Sequence, residues 1–223
     1  MPANHSFTRP DGKTAPAYYV EPEASGNAPG VVVIQEWWGI NDQIERVANR
    51  LAEAGYRALV PDLYRGARAL DAAEAEHKMT GLDFSDAAHQ DVRGAIQHLK
   101  QSSAKVATMG FCMGGVLSIL GAIHAPELDA AVAWYGIPPD EAGDPATIRI
   151  PLLAHFGNQD QMFPPEAVDA LEAKMQAGGV DYTFYRYDAP HAFGNEDWDY
   201  YDAEAAKQAW DRSLDFLAKH LSG

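Results

Sequence analysis

Residues 105–124 read Lys-Val-Ala-Thr-Met-Gly-Phe-Cys-Met-Gly-Gly-Val-Leu-Ser-Ile-Leu-Gly-Ala-Ile-His, and they decide the fold. A short apolar strand over 105–109 runs into Gly110-Phe111-Cys112-Met113-Gly114, and a helix is expected over 114–124. The pattern is the nucleophile elbow G-x-S-x-G with cysteine in place of serine. A strand-to-helix turn this tight holds its central residue in a strained conformation. Side chains two positions to either side would collide, so glycine is required at 110 and 114. Gly115 gives the helix room to approach the sheet. The helix N-terminus favours a thiolate and a neighbouring oxyanion. Cys112 is therefore the expected nucleophile, although a lone cysteine is more often a buried inert one.

Outward from the elbow, apolar β-rich runs at 31–35, 57–60, 130–134, 151–156 and 182–187 alternate with helical patterns at 42–54, 85–100, 166–177 and 203–220. Ser85 is the expected N-cap of the helix over 85–100. Segments 6–9 and 17–20 can pair as an antiparallel edge around Asp11-Gly12. The alternation predicts a mainly parallel, twisted sheet with helices on both faces, in a single α/β domain over residues 1–223. Sites in such sheets lie beyond the carboxyl ends of the strands.

Two further residues stand there. Asp160 follows the strand over 151–156, within Gly157-Asn158-Gln159-Asp160. His191 follows the strand over 182–187, within Pro190-His191-Ala192-Phe193. Nucleophile, acid and base in that chain order is the α/β-hydrolase arrangement. His155 sits inside a strand and reads as a core residue. A second cluster, Gln35-Glu36-Trp37-Trp38-Gly39, follows the strand over 31–35. In this fold the loop at that point supplies one oxyanion N–H and the residue after the nucleophile supplies the other, here Trp37 and Met113.

Composition bounds the rest. The 223 residues carry a formal net charge of −15, which repels phosphate backbones and anionic lipid, so neither nucleic acid nor membrane is an expected partner. Residues 1–11 show no apolar core of a secretory signal. One cysteine precludes an internal disulfide and is compatible with the cytoplasm. No H-x-E-x-H, G-x-G-x-x-G or G-x-x-x-x-G-K pattern occurs, so neither a metal nor another cofactor is expected. A monomer or small homo-oligomer acting on a small molecule fits these limits.

The chain resembles the dienelactone hydrolase family, or carboxymethylenebutenolidases. The resemblance rests on Gln35-Glu36-Trp37-Trp38-Gly39, Pro61-Asp62-Leu63-Tyr64, Gly110-Phe111-Cys112-Met113-Gly114-Gly115, Tyr135-Gly136, Gly157-Asn158-Gln159-Asp160 and His191-Ala192-Phe193. It implies an α/β-hydrolase without a large lid domain, a Cys112–His191–Asp160 triad and hydrolysis of lactones or esters through a thioester acyl-enzyme. It also implies that Glu36 contacts the nucleophile and keeps the resting thiol neutral until substrate displaces it. A carboxylate beside a thiol does raise the thiol's pKa by like-charge repulsion. The family's two carboxylate-binding arginines fall on Asn195 and Ala73 here, with Arg65, Arg68 and Lys78 nearby in sequence. Trp37, Trp38, Tyr64, Tyr135, Phe193 and Asn195 are the expected substrate contacts. A thioesterase or peptidase-like use of the same residues, and a non-catalytic binding or redox-sensing role, remain alternatives at this stage.

Overall fold

A computed structural model of the protein describes residues 3–222; Met1, Pro2 and Gly223, which the 1–223 reading includes, lie outside the described residues. Eight strands form one sheet: β1 (His5–Thr8), β2 (Thr14–Val20), β3 (Gly30–Ile34), β4 (Arg57–Pro61), β5 (Val106–Phe111), β6 (Ala130–Trp134), β7 (Leu152–Gly157) and β8 (Tyr182–Tyr187). Their spatial order is β1-β2-β4-β3-β5-β6-β7-β8. The β1–β2 and β2–β4 pairs are antiparallel, and every pair from β4 to β8 is parallel. The expected edge pair is present, with β2 beginning three residues earlier than the apolar pattern suggested, at Thr14.

The central strands are buried on both faces and their side chains alternate between two cores. Val32 and Ile34 of β3 face one core with α4 (Arg93–Leu99), α5 (Met113–His124) and α6 (Pro165–Ala177). Val31 and Val33 face the other with α1 (Asp42–Glu53) and α7 (Ala203–Leu221). Continuous apolar strands are what a doubly covered parallel sheet requires. Helix α1 forms because Asn41 accepts the Ile44 N–H at 3.1 Å, and Ile44, Val47, Ala48 and Leu51 share one buried stripe.

The helix expected over 85–100 differs in two ways. It starts as α3 (Phe84–Asp86) and passes through a π-helical stretch, Ala87–Val92, before α4. Its cap is Asp83, whose side chain accepts the Asp86 N–H, so Ser85 lies inside the helix. The wider π turn places Asp91, 1% exposed, between Arg9 and Arg65. A further helix, α2 (Ala72–Thr80), was not visible as a pattern because it buries only Ala75. Among the described residues no helix is long and apolar enough to cross a membrane.

Candidate active site

The elbow is built as its glycines require. Cys112 has φ 52° and ψ −114°, a left-handed conformation that costs an L side chain about 1–3 kcal/mol. A Cβ on Gly110 would lie 1.8 Å from the Gly114 carbonyl oxygen, and one on Gly114 would lie 2.2 Å from that of Ile34. No side chain fits at either position. The turn is tied to the neighbouring strand by the Cys112 N–H, which donates to the Trp134 carbonyl at 3.0 Å. Two of the other non-glycine residues with positive φ, Tyr135 (39°) and Ala192 (60°), also lie at the site.

The carboxyl ends of β5, β7 and β8 bring Cys112, Asp160 and His191 together. His191 Nε2 lies 3.2 Å from Cys112 Sγ, and its Nδ1 lies 2.7 Å from Asp160 Oδ2. Asp160 is fixed from behind, because its other oxygen accepts the N–H groups of Met162 at 2.7 Å and Phe163 at 2.9 Å. The His191 ring stands edge-on to Tyr135, with centroids 5.2 Å apart. Burial alone would lower the imidazole's pKa. The hydrogen bonds to Asp160 and Cys112 outweigh it and push His191 up to about 10.

Glu36 is buried at the site's inner wall. Its Oε1 accepts the Tyr135 hydroxyl at 3.1 Å and its Oε2 accepts the Asn195 amide at 2.6 Å. Burial raises its pKa, against the pull of Asn195, His191 and Tyr135 toward the ionised form. Glu36 thus sits in a Tyr135–Glu36–Asn195 triangle in the same cavity wall as Cys112, whose sulfur is hydrogen-bonded by His191. Among the described residues the Trp37 N–H has no acceptor within the chain, and the Met113 N–H is one of the free donors at the start of α5.

Over Cys112 opens a cavity of about 350 Å³. Its walls include Glu36, Trp37, Trp38, Met162, His191, Trp198 and Tyr200, and no lysine or arginine. Trp37 meets Trp38 edge-on at 5.4 Å, and Trp38 lies 5.1 Å from Trp198. Of the expected substrate contacts, Trp37 and Trp38 line this cavity. Tyr64, Tyr135, Phe193 and Asn195 do not. Tyr135 and Phe193 are fully buried behind His191, Asn195 is 1% exposed and spent on Glu36, and the Tyr64 hydroxyl rests 3.5 Å from Met113 Sδ. Trp198, Tyr200, Gln159, Gln161 and Met162 take their places. Trp198 and Tyr200 stand among the acids Glu196, Asp197, Asp199 and Asp202.

The cations near the cavity in sequence are all occupied elsewhere. Arg65 is paired with Asp91 at 2.7 Å, Arg68 with Glu45 at 3.1 Å and Lys78 with Glu74 at 3.3 Å. Ala73 is exposed on α2. His155, by contrast with His191, is a core residue in β7, as its position in a strand suggested.

Residues 15–221 match the dienelactone hydrolase family. A Salmonella typhimurium protein named "Putative carboxymethylenebutenolidase" is 33% identical over 94% of this chain and 84% of its own length. A Bradyrhizobium protein named "Probable 2-oxo-3-(5-oxofuran-2-ylidene)propanoate lactonase" is 30% identical over 96% of this chain and 92% of its own. Among solved structures, a dienelactone hydrolase-like promiscuous phosphotriesterase from metagenomic libraries superposes with a TM-score of 0.84 at 28% identity, covering 98% of both chains. With its elbow, its sheet order and this match over nearly its whole length, the chain belongs to the dienelactone hydrolase family and has the α/β-hydrolase fold.

Proposed function

We propose that the protein hydrolyses small neutral esters and lactones, with Cys112 as nucleophile, His191 as base and Asp160 as the residue that orients it. The observation that carries this reading is the unbroken chain Asp160–His191–Cys112, at 2.7 Å and 3.2 Å, beneath a cavity lined by aromatic side chains and without lysine or arginine. The thiolate attacks the carbonyl carbon, and the oxygen that becomes negative is received by the Trp37 and Met113 N–H groups. Collapse of that intermediate breaks the carbon–oxygen bond, the alcohol leaving with the proton from His191 Nε2, and leaves a thioester on Cys112. The now neutral His191 takes a proton from water, whose oxygen attacks the thioester carbonyl, and collapse breaks the carbon–sulfur bond, returning the sulfur to Cys112 and releasing the acid.

The electrostatics support the order of events. A histidine held protonated to about pH 10 is the natural partner of a thiolate, but a protonated histidine is no base. Acylation removes the sulfur's contribution to that elevation. His191 then has only Asp160 holding it up against burial, and its pKa falls. The same group thus gives a proton to the leaving alcohol during acylation and serves as base after it. Glu36, bonded to Tyr135 and Asn195, leaves the Cys112 sulfur to His191.

The cavity supports neutral acyl groups. A carboxylate-bearing lactone would find no arginine or lysine in the walls, and Asn195, where the family carries one, is sealed behind Glu36. A charge-assisted hydrogen bond is worth about 1.5–3 kcal/mol, so each missing cation costs roughly 10- to 150-fold in preference for an anionic substrate. The test is p-nitrophenyl acetate hydrolysis followed by mass spectrometry. A burst of nitrophenol with one acetyl group on Cys112, and a higher kcat/KM for this ester than for dienelactone, is the expected result. No burst and no adduct on the folded protein would overturn the nucleophile assignment. Faster turnover of dienelactone would overturn the substrate class.

A further inference from the structure

Four aromatic rings in the lining of the cavity over Cys112 touch one another in a row. Trp37 meets Trp38 with centroids 5.4 Å apart, Trp38 meets Trp198 at 5.1 Å, and Trp198 meets Tyr200 at 6.0 Å. The row begins at Trp37, in the loop that follows β3, and ends on Tyr200, which is 55% exposed. Two loops far apart in the chain supply it, so the folded molecule alone makes it continuous.

Both loops are fastened. The Trp38 carbonyl accepts the Ala69 N–H at 3.0 Å. Residues 195–202 form neither helix nor strand, yet Asn195 holds them from inside. Its carbonyl accepts the Trp198 N–H at 3.1 Å, its Oδ1 accepts the Asp197 N–H at 3.0 Å, and its amide donates to Glu36 at 2.6 Å. From α1, Arg46 grips Glu196 and, at 2.7 Å, Asp197. The Asp202 N–H closes the loop on the Phe193 carbonyl at 3.0 Å. Rings held in place before a ligand arrives need little further ordering when it binds. Asn195 thus serves the loop that carries Trp198 as well as Glu36.

We propose that this row is an aryl subsite: among neutral esters the protein prefers those that carry a flat ring, and Trp198 sets the preference. The proposal rests on the ester-hydrolase reading above. A saturated group can bury as much apolar area against the same wall. It lacks the offset and edge-on contacts that aromatic rings make with one another. Met162, 52% exposed in the same lining, adds a thioether, and sulfur too makes favourable contacts with ring edges.

Benzyl acetate and cyclohexylmethyl acetate are the probes. Both give Cys112 the same acetyl group and release a primary alcohol, and they differ in whether the ring is flat. The expected kcat/KM is about two- to tenfold higher for benzyl acetate, the range of an aromatic contact beyond its buried area. Trp198→Leu keeps the wall apolar and should lower that ratio at least about twofold, whereas Trp198→Phe keeps a ring and should retain it. Equal kcat/KM for the two esters, or an unchanged ratio in Trp198→Leu folded by circular dichroism, overturns the proposal. The Cys112→Ala variant tests the subsite without turnover. Titrated against its tryptophan fluorescence, benzyl acetate should bind about two- to tenfold more tightly than cyclohexylmethyl acetate, and equal binding overturns the proposal. Tighter benzyl binding there, with no acetyl transfer in the unmodified protein, would uphold the subsite and overturn the nucleophile. Acetyl transfer with no difference between the two esters would do the reverse.

Discussion

Two histidines at the carboxyl half of the sheet, one fully buried and one half-buried, differ in what their partners do to them. His155 in β7 and His191 after β8 each have both ring nitrogens hydrogen-bonded. His155 meets two hydroxyls, Tyr187 and Ser213, each at 2.9 Å. Ser213 spends its own proton on the Ala209 carbonyl at 2.8 Å, so it must accept from His155 Nε2–H, and Nδ1 accepts from Tyr187. Nothing there stabilises a cation, and Arg212, which donates to Tyr187, opposes one; burial takes His155 down to about 3. His191 exchanges the hydroxyls for a carboxylate and a sulfur and rises to about 10. Desolvation pulls both rings down, though His191 is 19% exposed and His155 fully buried, and it is the partners that send the two imidazoles in opposite directions.

The sharpest way to break this contrast is Asp160→Asn, which gives His191 a neutral partner like those of His155. Ester hydrolysis should fall by about 10⁴-fold, the cost of the equivalent change in a serine protease triad. The imidazole resonances of His191 should titrate well below 10. A variant that keeps the elevated titration would show that Cys112 alone supports it. On the other side of the comparison, Ser213→Ala leaves the His155 N–H without an acceptor. It should destabilise the fold by about 1–3 kcal/mol in urea unfolding, with kcat/KM changed by less than about twofold.

Glu36→Gln removes a negative charge from the site's wall while an amide can still bond Asn195 and Tyr135. Iodoacetamide should alkylate Cys112 faster at neutral pH, by roughly three- to tenfold, the scale of half to one pKa unit of like-charge repulsion. An unchanged rate in the folded variant would mean that the triangle acts on Asn195 and the loop alone.

The contrast also reaches the pH dependence of stability, where the two histidines pull in opposite directions. Between about 3 and 6.5 the unfolded chain protonates His155 and the native state does not, so stability falls as pH drops through that window. Between 6.5 and about 10 the native state holds the His191 proton and the unfolded chain has released it. That contribution is complete below 6.5 and is lost as pH rises toward 10. Each slope is at most about 1.4 kcal/mol per pH unit. His155→Gln should flatten the acid limb of an unfolding profile and His191→Gln the alkaline limb.

What could be read from the sequence follows from how local each signal is. The elbow is a five-residue pattern in which a side chain on Gly110 would strike the Gly114 backbone, so Cys112 was legible with its strand and helix. Asp160 and His191 were legible because each follows a strand end by a few residues. The Tyr135–Glu36–Asn195 triangle joins positions 99 and 159 residues apart, and no local pattern carries such a contact. Asn195, Tyr135 and Phe193 lie outside the cavity lining for the same reason: nearness to His191 along the chain did not say which side of the ring they would take. Helix α2 left no apolar stripe to read, since Ala75 alone is buried. The aromatic wall of Trp198 and Tyr200 was masked by the acids between and around them.

A cavity without lysine or arginine is also an exit. On the proposed chemistry a neutral ester enters and an acid is born, so the ligand acquires its charge only at the last step. The nascent carboxylate then finds no arginine or lysine to detain it and has Glu36 at its back. Release should be quick, and acetate should inhibit the reaction only weakly. Turnover would then be paced by loss of the acyl group from sulfur, not by departure of the acid.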